Sequence, residues 1–373
     1  MRWKTILTRT GLFLLVAMLA ASATPLLAQT GCPVGEWRVN DACAAVAALP
    51  LHDGWNEILP GGATRCAHDT PFRFWIRPGG PDLLFFFQGG GGCWNAETCQ
   101  VGSPLYKQVV APGEAENYRS GIFDFDNPDN PFAAYTMVFV PSCTGDVYMG
   151  SAHHDYGDGV TLYHRGFENL LSAIEFTAAT IPTPDSIFIT GCSAGSVGSF
   201  IAAPQVIARY PGVRVAQMGD SLGAIFSQRD DADSIWGIAP ALPDWIDTMP
   251  DPHAFRLTDY VIALAGFYPD VTFAQYNTQY DNVQQRYFAI GASDPRAIVS
   301  AKINTLVDEA SSAAPNFRAF TEGGDVHCIT PRAQFYSYAL DGVRLRDWVA
   351  DLADGRAVAS LRCTDCDSPE TVR

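Results

Sequence analysis

Short apolar runs rich in branched and aromatic residues recur along the chain at Leu83–Gln88, Tyr135–Pro141, Ser186–Thr190, Val213–Met218, Val271–Tyr276 and Phe317–Thr321. Each has the length and composition of a buried strand. Between and after them, apolar residues recur at three and four positions through Gly166–Thr180, Ser196–Tyr210, Pro295–Ala313 and Pro331–Leu352, the spacing of helices with one buried face. Strands alternating with helices predict an α/β domain built on a mainly parallel central sheet flanked by helices. The interval 221–270 breaks the rhythm with Trp236, Trp245, Phe255, Tyr260 and Phe267 among several prolines. A structureless loop of that length is improbable, so a helical cap insertion is expected there, with an ordinary packed insertion as the alternative. Neither an internal repeat nor a low-complexity linker interrupts the chain, and residues 29–373 are expected to form a single domain.

The first 28 residues stand apart. A basic start at Arg2, Lys4 and Arg9, an apolar stretch from Leu12 to Ala20 and small residues at Ala21, Ala23 and Ala28 have the layout of a secretory signal peptide. Cleavage after Ala23 and cleavage after Ala28 both fit. The protein is therefore expected outside the cytoplasm, secreted or periplasmic. The apolar run is too short to span a bilayer, so stable membrane insertion is not expected. Cleavage removes three basic residues and no acidic ones, carrying the formal charge from −16 to −19. So acidic a chain, without a basic run, is unsuited to nucleic acid or anionic membrane, and fits neutral or esterified substrates best.

All ten cysteines lie beyond the signal segment: Cys32, Cys43, Cys66, Cys93, Cys99, Cys143, Cys192, Cys328, Cys363 and Cys366. An even number in an exported chain makes them disulfide candidates, with connectivity left open by spacing alone. Cys363 and Cys366, in a polar CTDC tail without a following helix, read as a local staple.

The sharpest chemical signal is GCSAG, Gly191–Gly195, set directly after the strand at Ser186 and directly before a helical pattern. Strand, tight turn and helix around GxSxG describe the nucleophile elbow of an α/β-hydrolase, with Ser193 at its tip. Acyl transfer also needs donors for an oxyanion, and the glycine run in QGGGGCW, Gln88–Trp94, follows the strand at Leu83; the amides of Gly90, Gly91 and Ala194 are the candidates. The Lys and Ser/Thr that would make such a run a phosphate-binding loop are absent.

A serine hydroxyl needs a base, and in this fold the histidine follows the last strand. His327, in GGDVHC, occupies that place; His52 and His68 precede the elbow, His153 and His154 sit in an early loop, His164 leads a helix and His253 falls in the expected cap. His153 and His154 with Asp155 and Asp158 form an alternative metal set, but adjacent residues of that kind usually face solvent, and neither metal nor cofactor is expected. The third member should be a carboxylate between serine and histidine in chain order. Asp281 in QYDNVQQ fits best, with Asp220 in GDS as principal rival and Asp294 weaker. Cys192 directly precedes Ser193 and Cys328 directly follows His327, so a bridge between them would tether nucleophile to base.

These motifs resemble the pectin acetylesterase family, which includes secreted lipid deacylases. FFQGGGGCWNAETC (86–99) is similar to the family's oxyanion segment, with the tryptophan after Cys93 instead of before it. Gly121–Pro131, Val138–Ser151 and His164–Leu170 resemble the stretches leading to its nucleophile. GCSAGSVGS is similar to its elbow, with Ser196 where glycine is commoner, GDS to a segment outside the triad, QYDNVQQ to its Tyr-Asp-x-x-Gln motif and VHC to its Ala-His-Cys. The resemblance implies an ester hydrolase with Ser193, Asp281 and His327 as triad, and bridges Cys66–Cys143 and Cys93–Cys99. It makes an acetylated polysaccharide the leading substrate, and the aromatic residues of the expected cap keep a broader carboxylesterase or polyester depolymerase close behind. A non-catalytic binding module on the same framework is the rival of another class.

Overall fold

Strands buried at every position require cover on both faces, and Leu83–Phe87 and Thr136–Val140 are buried throughout. The computed structural model describes residues 37–40, 42–44, 51–223, 232–246, 256–288 and 292–372. The expected signal segment, Cys32, His253 and Phe255 lie outside them.

In chain order the strands are β1 (Trp37–Val39), β2 (Ala42–Ala44), β3 (Asn56–Leu59), β4 (Phe74–Arg77), β5 (Leu83–Phe87), β6 (Thr136–Val140), β7 (Ala152–Asp155) and β8 (Thr161–His164). They continue with β9 (Ser186–Cys192), β10 (Arg214–Asp220), β11 (Thr272–Thr278), β12 (Phe317–Glu322), β13 (Tyr338–Leu340), β14 (Val343–Arg344), β15 (Leu361–Arg362) and β16 (Glu370–Thr371). The α-helices are α1 (Ala96–Cys99), α2 (Gly166–Thr180), α3 (Ala194–Arg209), α4 (Ala232–Trp236), α5 (Leu257–Phe267), α6 (Asn282–Phe288), α7 (Pro295–Ala313) and α8 (Leu345–Ala353).

Among the described residues the main sheet has the order β15-β12-β11-β10-β9-β5-β6-β4-β3-β1-β2. It is parallel from β15 to β6 and antiparallel beyond. Helices cover both faces: Ser196 and Phe200 of α3 crowd Gly219 of β10 on one, while Trp348 of α8 packs edge-on against Phe320 of β12 on the other. β6 lies on one side of β5 and β9 on the other, so the strand order reverses between β5 and β9. In open α/β sheets the crevice beyond the carboxyl ends of the strands at such a reversal is the usual ligand site.

Two expectations change. Pro331–Leu352 is not one helix: it contains a 3₁₀ turn at Ala333–Tyr336, the hairpin β13–β14 and then α8. Asp341 and Gly342, at φ 51° and 77°, make the two-residue turn that joins the hairpin strands, a left-handed backbone pair no helix can contain. The described parts of the interval 221–270 include α4, 3₁₀ turns at Ala239–Ala241 and Asp244–Ile246, and α5, but they differ in place. α5 packs on α3, α7 and β11 as a crossover helix of the sheet, whereas α4 packs on β7 and the indole of Trp236 donates to the Cys93 carbonyl at 2.9 Å.

Candidate active site

β9 ends in a turn that only its glycines permit. A Cβ on Gly191 would lie 2.2 Å from the Gly195 carbonyl, and one on Gly195 would lie 1.9 Å from that of Phe87. The close approach leaves Ser193 at φ 57°, ψ −122°, a strained backbone for a residue with a side chain, at the N-cap of α3. Its amide is held by the Asp220 carbonyl at 2.8 Å. Strain, strand-to-helix context and partial exposure of Ser193 make the elbow geometry expected from GxSxG.

His327 comes to this point on the loop after β12. Thr278 donates to the Val326 carbonyl at 2.8 Å, Asn282 donates its amide to Asp325, and the Gly324 amide reaches the Cys366 carbonyl at 2.8 Å. The imidazole Nδ1 donates to Asp281 Oδ2 at 2.7 Å. Asp281 is fully buried, and its other oxygen accepts the amides of Val283 and Gln284 at 3.0 and 2.9 Å. Because a carboxylate only accepts, the Nδ1 proton is fixed toward Asp281 and Nε2 is left as the basic nitrogen.

Cys192 and Cys328 form a disulfide across 136 residues of sequence, and a ring nitrogen of His327 lies within 4.8 Å of both sulfurs. The residues next to Ser193 and His327 are thus covalently joined. Engaged in this bond, the two sulfurs are not metal thiolates. Further bridges join Cys66 to Cys143, Cys93 to Cys99 and Cys363 to Cys366, and Cys43 is disulfide-bonded as well.

The rivals of Asp281 have other work. Asp220 is buried, and its carboxylate accepts the amides of Ile329 and Thr330 and the hydroxyls of Ser221 and Thr330, clamping the chain just after His327. Burial pushes its carboxyl above the usual carboxylate range. Asp294 caps α7 through the Ala297 amide. His153 and His154, adjacent on β7, face opposite ways, one stacked on Tyr163 and the other edge-on to Tyr156, so they do not converge on a metal.

In the glycine run, a Cβ on Gly90 would strike Ser142, and one on Gly91, at φ 65°, would strike the Leu105 carbonyl and the Tyr287 hydroxyl. Gly89 is the glycine turned toward the serine: a Cβ there would meet the Cys192 carbonyl at 3.0 Å and Ser193 Cβ at 3.1 Å. Sequence reasoning passed over Gly89, although as the first glycine after β5 it sits where the register places Phe87 beside Gly191.

Residues 62–234 match the family described as pectinacetylesterase. The likeness, over 173 of the 373 residues, is to the pectin acetylesterase and Notum family. Human palmitoleoyl-protein carboxylesterase Notum is 23% identical over 52% of this chain and 39% of its own length. Arabidopsis pectin acetylesterase 4 is 26% identical over 33% of this chain and 31% of its own length. These relatives are thus matched over less than half of their length. The structure of the Wnt deacylase Notum from Drosophila superposes with a TM-score of 0.62 at 15% identity, over 82% of this chain and 95% of that one. The fold is that of an α/β-hydrolase.

Proposed function

We propose that the protein is an exported serine esterase that hydrolyses carboxylic esters through an acyl-enzyme. The single observation that carries this reading is the Asp281–His327 hydrogen bond of 2.7 Å, formed beside a strained serine turn to which the histidine loop is covalently tied. Ser193 Oγ attacks the ester carbonyl while His327 Nε2 takes its proton. The amides of Gly90, Gly91 and Ala194 hold the oxyanion at the positive end of α3. His327 then protonates the departing alcohol, and water repeats the cycle on the acyl group. No step calls for a metal or cofactor.

Relatives named as pectin acetylesterase and as palmitoleoyl-protein carboxylesterase support ester cleavage, and the negative charge of the chain favours a neutral or esterified substrate. The leading substrate is an acetyl ester on a polysaccharide; a broad carboxylesterase or polyester depolymerase is the second. One relative, the zebrafish "inactive palmitoleoyl-protein carboxylesterase notum1b", is 28% identical over 26% of this chain, so a binding role on the same framework is the reading from another class.

Incubation with a fluorophosphonate tests the reading. One adduct is expected on Ser193 and none on Ser193→Ala; an unlabelled wild type would rule out the esterase. Acetate release from acetylated pectin and xylan, beside turnover of p-nitrophenyl esters of rising length, tests the substrate. Preference for long acyl chains would exclude the polysaccharide deacetylase.

A further inference from the structure

Asp281 Oδ2 serves two donors. One is His327 Nδ1 at 2.7 Å, and the other is the side-chain amide of Gln284, one turn along α6, at 3.0 Å. Gln284 is buried, and its amide also leans on Asn277 Oδ1 at 3.4 Å. Asn277 is itself fixed, accepting the Gly223 amide at 2.8 Å and donating to Gln275 at 3.1 Å on the same face of β11. A buried amide chain thus runs from the core of the sheet to the very oxygen that the imidazole uses. A glutamine required only to fill space would not need its nitrogen aimed at a carboxylate; an apolar side chain of the same volume would serve.

We infer that Gln284 is a positioning residue that fixes the Asp281 carboxylate and tempers its basicity toward His327. The inference rests on the esterase reading and deepens it. A second donor on Oδ2 draws charge away from the oxygen that stabilises the imidazolium. Its removal therefore makes Asp281 a stronger partner and raises the pH at which His327 loses its proton. Among the described residues, titratable or charged groups near the pair include Asp325 and Arg332 on the histidine's own loop and Tyr276 from β11, with Asp220, Glu322 and Tyr338 beyond Tyr276. The substitution leaves all of them in place.

The experiment compares wild type with Gln284→Met and Gln284→Glu, each titrated with a fluorophosphonate so that rates refer to competent sites. For Gln284→Met the acid limb of the kcat/KM profile of a p-nitrophenyl ester should move up by about one pH unit, and kcat/KM below the limb should fall about tenfold, the scale of one hydrogen bond to a charged group. The downfield Nδ1 proton resonance should shift with it, a readout independent of turnover. Gln284→Glu should keep the wild-type limb while its carboxyl is protonated and donating, then lose activity as it ionises beside Asp281. This variant decides the question should the methionine protein not fold. Loss of stability or a raised KM with an unmoved limb and resonance would overturn the inference and leave the esterase intact. Failure of the wild type to label at Ser193 would remove both.

Discussion

Two aspartates stand near the histidine loop, and the direction of their bonds separates them. Asp281 meets the imidazole; Asp220 meets backbone amides and hydroxyls. Asp281→Asn offers the imidazole an amide that can hold the wrong tautomer, so kcat should fall by about 10³–10⁴-fold with little change in melting temperature. Asp220→Asn acts on stability. An amide has one accepting oxygen, so either the Ile329 or the Thr330 N–H must lose its buried partner, at a cost of about 1–3 kcal/mol. Denaturant titration should register that loss, while kcat per labelled site stays within a few-fold of wild type. The reverse pattern would exchange the roles of the two carboxylates. At Gly89 the space is taken: alanine would crowd Ser193 Cβ, and Gly89→Ala should lower kcat without unfolding the protein.

Between elements, the Cys192–Cys328 bridge joins the end of β9 to the loop after β12, two strands separated in the sheet by β10 and β11. It closes a loop of 136 residues, so replacing both cysteines by alanine should destabilise the fold by about 2–4 kcal/mol. Thermal melting would measure that, and a fall in labelling rate beyond the loss of folded protein would show that the tether also places the histidine. The parallel strands other than the two-residue β15 were legible in sequence because burial forces continuous apolar runs, as in LLFFF, and α2 and α7 occupy the spans their apolar spacing predicts. The antiparallel flank β1–β4 was not, since strands of three or four residues are too short for a periodicity to register. The hairpin β13–β14 was hidden for another reason. Phe335, Leu345, Trp348 and Leu352 keep helical spacing, while the signal against a helix was one dipeptide, Asp341-Gly342. In the site, GxSxG and GGDVHC could be read because their chemistry needs particular residues in sequence. Gln284 stands in the Tyr-Asp-x-x-Gln spacing, but its bond to the Asp281 oxygen does not show there, and Gly89 acts through proximity in space, which sequence spacing does not carry.

Across the whole molecule, buried titratable groups set opposing slopes of stability against pH. Asp146 accepts from Thr144, Tyr148 and Gly166, yet burial pushes its carboxyl up to about 7; burial also carries Glu322, at the end of β12, to about 7. His164 is buried between the Thr144 carbonyl and the Tyr156 hydroxyl, and burial pulls it down to about 4. A carboxyl whose folded value is raised binds its proton more tightly than in the unfolded chain. Its contribution is whole below about pH 4 and is lost as pH rises toward 7. The depressed imidazole works the other way, its contribution being whole above about pH 6.5 and lost as pH falls toward 4. These carboxyls, with the buried Asp220 raised in the same sense, outweigh one imidazole over this window, and ionisation of a chain already at −16 adds self-repulsion in the same direction. The urea midpoint should therefore be higher at pH 5 than at pH 8. In a protein carrying Asp146→Asn and Glu322→Gln together, His164 is left to act against a weakened opposing slope, so the midpoint should flatten or rise between pH 4 and 6.5. A double variant that kept the full wild-type decline would trace the pH dependence to Asp220 and the surface charge instead of Asp146 and Glu322.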